Sequence, residues 1–160
     1  MSSQVLSTQE ITVEVFGRLL RGQAGLAREL SASLQAEHGL TINDYEALLL
    51  LSRAEDNALR RIDLAGKLVL TASGVTRLLD GLEQSGLVAK RSCESDARVT
   101  YAVLTEAGRA KLEAAAESHM EHVRTLLEAH YTCDELATLA DLLSRLPGAA
   151  EGGSCTPPPR

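Results

Sequence analysis

The sequence predicts a mainly α-helical chain carrying one small β-hairpin. Three observations lead there. Apolar residues make up 44% of the 160 residues but aromatics only 2%, namely Phe16, Tyr45, Tyr101 and Tyr131. A core of Leu, Val and Ala favours helices over a β-sandwich or barrel. Apolar positions recur at helical spacing along most of the chain, and only residues 87–104 switch to β-forming residues around a polar turn.

The elements follow in order. Residues 8–36 hold no Pro and place Ile11, Val15, Leu19, Leu26, Leu30 and Leu34 on one or two faces of a long helix. Gly39 suits its C-terminal stop. Thr41, with Asp44 three residues on, opens a second helix. Its run from Ala47 to Leu51 is apolar almost all round, so it belongs in the middle of the molecule. Asp56 and Asn57 mark a turn, and a short helix spans about 62–68, with Ile62, Leu64, Ala65 and Leu68 expected inward. Thr71 caps a fourth helix that runs to Ser85, with Gly86 beyond it. Its inward face is Val75, Leu78, Leu79 and Leu82, at the i, i+3, i+4, i+7 spacing.

Residues 87–93 and 99–104 form the hairpin. Thr105 and Glu106 restart a helix to about His130. Thr132 with Glu135 makes a capping box for a last helix bearing Leu136, Leu139, Ala140, Leu143 and Leu146, stopped by Pro147 and Gly148. Residues 149–160 carry no periodicity and read as a disordered tail. Two short helices joined by a tight connection and followed by a hairpin form the winged helix-turn-helix pattern.

Charge agrees with a polyanion partner. Residues 57–109 hold eight basic and six acidic side chains, a net of +2, whereas the remainder carries −8. A chain of net charge −6 is no histone-like coat, but its basic middle suits one face turned to nucleic acid. No apolar run approaches the ~20 residues of a membrane span. The N-terminus lacks the pattern of a secretory signal. Cys93, Cys133 and Cys155 are odd in number and widely spaced, which fits a reducing cytoplasm rather than a disulfide framework.

Three segments carry a family resemblance: RIDLAGKL at 61–68, TASGVTRLLDGLEQSGLV at 71–88 and DARVTYAVLTEAG at 96–108. The last contains Asp-x-Arg followed by Leu-Thr-x-x-Gly. In this order and spacing the chain resembles the MarR family of transcriptional regulators over roughly residues 8–146. The resemblance implies a winged helix-turn-helix with dimerisation helices at both ends. It divides the chain into 1–36 (N-terminal dimerisation helix), 37–105 (DNA-binding domain), 106–146 (C-terminal dimerisation helices) and 147–160 (tail). Leu126, Leu127, Leu136, Leu139 and Leu143 are the expected interface residues.

The helix over 71–85 is about 22 Å long and fits the major groove of B-DNA. Its outward N-terminal end carries Ala72, Ser73, Thr76 and Arg77, short hydrogen-bonding groups plus one bidentate donor for bases and phosphates. The resemblance implies that Arg98 enters the minor groove and that Asp96 braces it. Their spacing puts both on one face, within reach of an ion pair. Lys90 and Arg91 are expected phosphate contacts, with Arg60 and Arg61 as weaker candidates. The expected partners are thus double-stranded DNA with a pseudopalindromic operator, a second copy of the chain, and a small aromatic or phenolic ligand.

His38, Tyr45 and His119 are placed around that ligand, where the first, second and fifth helices meet. By resemblance to zinc-responsive members of the family, Glu37, His38, His119 and His122 offer an alternative, a zinc-responsive site of the same fold. No cofactor is expected. Peroxide-sensing members of the family it resembles carry a cysteine in the first helix, and this chain has none there, which counts against a redox sensor. No phosphate loop, nucleophile elbow or zinc-protease motif points to an enzyme. A winged-helix protein-interaction module is the other non-enzyme reading; it would need no Arg77 and Arg98 on one surface.

Overall fold

The computed structural model describes residues 7–68, 70–93, 96 and 98–147. The expected tail lies outside the described residues apart from Pro147, as do parts of the hairpin tip. Helix α1 spans Thr8–His38. A capping box starts it: the Glu10 N–H donates to Ser7 Oγ while Glu10 Oε2 accepts from the Ser7 N–H at 2.7 Å. It ends two residues later than expected. Gly39 takes φ 66, a left-handed conformation that costs a side chain dearly, and its N–H donates to Gln35 O.

Helix α2, Ile42–Arg53, opens with the Thr41–Asp44 capping box, and buries Tyr45, Ala47, Leu48, Leu49 and Leu51. A 3-10 turn at Glu55–Asn57 leads into strand β1, Ala58–Arg60. Helix α3, Arg61–Lys67, and helix α4, Ala72–Gln84, form the helix-turn-helix. Strands β2, Val88–Ser92, and β3, Thr100–Leu104, form the hairpin. Helix α5 spans Glu106–Glu128 and helix α6 Cys133–Ser144, the latter behind the expected Thr132–Glu135 box.

The sheet has three antiparallel strands in the order β1-β3-β2. Strand β1 is an addition to the sequence reading; three residues are too few for a periodic signal. Its inner position Leu59 pairs with Ala102, extending the sheet along β3.

The core sits where α2 meets the ends of α1, α3, α4, α5 and the sheet; its fully buried members include Leu34, Leu48, Leu51, Leu64 and Leu79. One expected core residue is corrected. Ile62 is 75% exposed. Leu64 and Leu68, four apart, set the inward face of α3, and Ile62 stands about 200° from Leu64 around the axis.

The chain ends differ from the middle. Leu34 is the one buried residue of α1, and α6 has none. Phe16 is 63% exposed, and Ile11, Val15, Leu20, Leu142 and Leu146 are also bare. Leu126, Leu127, Leu136, Leu139 and Leu143 are half-exposed. So much uncovered apolar surface on two helices is uncommon in a lone soluble chain.

Candidate nucleic-acid interface

The N-terminal end of α4 is built by its cap. Thr71 Oγ1 accepts from the Gly74 N–H at 3.1 Å, leaving other first-turn amides open. With Val75, Leu79 and Leu82 buried, Ser73, Thr76 and Arg77 face solvent. Thr76 Oγ1 donates to Ala72 O at 3.1 Å, which fixes the hydroxyl hydrogen and leaves its oxygen free to accept. Arg77 has no ion-pair partner among the described residues.

Arg60 and Arg61 are spoken for. Arg60 makes a bidentate pair with Asp63, at 2.6 and 3.0 Å. The Arg61 guanidinium lies 3.4 Å from Asp80 and 4.0 Å from Glu83, tying the start of α3 to the far half of α4. Neither is a free phosphate ligand in this structure, because each guanidinium already faces a carboxylate.

On the hairpin, Arg98 is exposed and unpaired among the described residues. The expected Asp96–Arg98 ion pair is not formed. Asp96 Oδ1 instead accepts from the Arg98 backbone N–H at 2.9 Å, while the Val99 N–H donates to Asp96 O at 3.0 Å. The carboxylate shapes the turn through the backbone and leaves the Arg98 guanidinium available. Lys90 and Arg91 are both exposed, but as strand neighbours they stand on opposite faces.

The Leu-Thr-x-x-Gly segment anchors the hairpin. Thr105 Oγ1 lies 2.7 Å from Gly86 O and 3.0 Å from Leu87 O, and accepts from the Gly108 N–H at 3.0 Å. Gly108 is buried against Leu87: a Cβ there would stand 2.0 Å from the Leu87 carbonyl oxygen.

His38, Tyr45 and His119 do converge at the α1–α2–α5 junction, but of the three only His38 lines the crevice beside it. Tyr45 and His119 are 2% and 3% exposed, with ring centroids 4.5 Å apart. Both rings are buried in this chain and pack against each other. His38 Nε2 lies 2.7 Å from Ser118 Oγ. It borders an open crevice of about 750 Å³ whose other walls include Leu40, Asp44, Leu82, Leu87 and Lys111. The sequence reading missed Lys111; a lone cation on an exposed helix carries no signal without the fold.

The alternative metal set is likewise only partly gathered. Glu37 lies 3.4 Å from His122 and 3.8 Å from His38, while His119 turns to Tyr45. Among the described residues no three His, Cys, Asp or Glu side chains are placed to hold a metal ion.

Burial pushes the His119 imidazole below the usual histidine range, and His122 adds to the effect. Its Nδ1 is buried with no hydrogen-bond partner among the described residues. Because the folded-state value is the lower one, the unfolded chain takes up the proton first as pH falls. Stability is therefore whole above about pH 6.5 and declines below it, toward the folded-state value. Thermal melting between about pH 7.5 and about pH 5.5 is expected to fall less steeply for His119→Phe than for the wild type. Parallel curves would contradict this.

A capped reading helix with an exposed polar end, beside a hairpin with an unpaired arginine, defines a winged-helix DNA-binding transcriptional regulator. A family model, MarR family, matches residues 40–100. The HTH-type transcriptional repressor YetL of Bacillus subtilis is 33% identical over 115 residues, spanning 69% of this chain and 68% of that protein. AbsC, a MarR family transcriptional regulator from Streptomyces coelicolor, superposes with a TM-score of 0.75 at 30% identity, covering 94% of this chain and all of that one. Sco3205, a MarR family regulator from the same organism solved in complex with DNA, gives 0.74 at 26% identity, with 88% and 87% covered. The chain belongs to the MarR family. These relatives are transcriptional regulators and not enzymes. No helix among the described residues is long and apolar enough to cross a membrane.

Proposed function

We propose that the chain is a ligand-responsive repressor that binds a pseudopalindromic operator as a homodimer in the cytoplasm. The observation that carries this reading is the pair of unpaired arginines, Arg77 on α4 and Arg98 on the hairpin, in a chain whose terminal helices are left bare. In this reading Ser73, Thr76 and Arg77 meet the major groove, Lys90 and Arg91 meet phosphates, and Arg98 enters the minor groove over a turn shaped by Asp96. Residues 1–36 and 106–146 supply the dimer contacts, and 37–105 the DNA contacts. A two-fold dimer then requires half-sites about one helical turn apart.

The effector in this reading is a small aromatic or phenolic acid seated in the crevice beside His38, with Lys111 opposing its charge. The crevice lies between the dimer helices and the reading helix, so an occupant that prefers one spacing of the two α4 helices shifts DNA affinity by that preference.

The test is a duplex selected from a random pool by the wild-type protein. Arg98→Ala is expected to weaken binding to it by roughly 1–3 kcal/mol with an unchanged melting temperature, because the side chain is exposed and supports no core contact. Undiminished affinity would remove the hairpin from the interface.

A further inference from the structure

Strand β3 buries Ala102 and Leu104, so Tyr101 and Val103 stand on the opposite face of the sheet. The register places Arg60 of β1 and Arg91 of β2 directly beside Tyr101. Three side chains from three strands thus form one row, Arg60–Tyr101–Arg91, on the face away from the core. The two arginines differ. Arg60 is matched by its bidentate Asp63 partner. Arg91 has no acidic partner among the described residues, and its guanidinium carbon sits 5.5 Å from the Tyr101 ring centroid.

With its central carbon over the ring, the guanidinium keeps the N–H donors on its far side free for an acceptor. The ring also removes rotamer freedom that the arginine would otherwise lose on binding. Tyr101 lies on β3 three residues after Arg98, which is in the turn before the strand, so the two are at most about 10 Å apart along the chain. The minor groove is only about 6 Å wide, so with Arg98 inside it, a group that far back on the hairpin meets the phosphates at its rim.

We infer that Tyr101 is a positioning residue for DNA binding, holding Arg91 toward a phosphate at the rim of the groove that the hairpin enters. This rests on the DNA-binding reading above.

The experiment is a double-mutant cycle on the selected duplex, read by fluorescence anisotropy over a salt series. Arg91→Ala is expected to lower the slope of log affinity against log salt by about one. Tyr101→Leu is expected to weaken binding by roughly 2–5-fold. Tyr101→Phe, which keeps the ring, is expected to bind as the wild type does. In the Arg91→Ala background, Tyr101→Leu is expected to have no further effect, whereas a general loss of fold would persist there. The inference is overturned by additive losses, by Tyr101→Leu binding unchanged, or by Tyr101→Phe falling as far as Tyr101→Leu. A wild type that enriches no duplex would overturn the DNA-binding reading itself, a result distinct from these.

Discussion

The double variant Phe16→Asp, Leu142→Asp is expected to be monomeric and to bind the operator at least ~100-fold more weakly than the wild type. The two residues are 63% and 50% exposed in the single chain, so charges there leave the core untouched. Placed across a symmetric interface, each charge would be desolvated without a partner. The loss on DNA follows from linkage. Once one half of a dimer is bound, the second half binds at a high effective concentration, a gain of about 10²–10⁴ that a monomer forfeits. Ultracentrifugation reads the first effect and anisotropy the second. A stable dimer with both charges present would place these faces outside the interface.

Gly108→Ala is expected to cost about 1–3 kcal/mol of stability, as overpacking of a tight site does. The added Cβ would lie 2.0 Å from Leu87 O and 2.8 Å from Leu104 Cδ1. The first is backbone and cannot rotate away. Relief requires the start of α5 to lift from the base of the hairpin, where the Thr105 N–H donates to Leu87 O at 3.1 Å. The same movement would tilt the hairpin, so operator affinity is expected to fall along with the urea midpoint. A midpoint equal to the wild type's would show that the contact relaxes at no cost.

Much of the fold was legible because its signals are local. Ser/Thr caps at Thr41, Thr71, Thr105 and Thr132 mark helix starts within one residue of those observed. The Leu-rich faces of α2 and α4 carry their burial in their spacing. What was missed depends on partners distant in sequence. Strand β1 exists because β3 offers it an edge. Arg61 is consumed by Asp80, nineteen residues on, and only the α3–α4 angle brings them together. Tyr45 and His119 were correctly placed at one junction, yet whether they border a space or fill it is decided by packing. Asp96 was expected to brace Arg98 through an ion pair; its Oδ1 instead accepts from the Arg98 backbone N–H.

The central claim is that two copies of this chain read a two-fold DNA site with α4 and the hairpin. Hydroxyl-radical footprinting of the wild-type complex on its selected duplex tests it most directly. The account predicts two protected segments related by a dyad, their centres about 34 Å apart, with outer protection where each hairpin meets the minor groove. A single asymmetric patch, or protection that vanishes against an equal mass of unselected duplex, would contradict it.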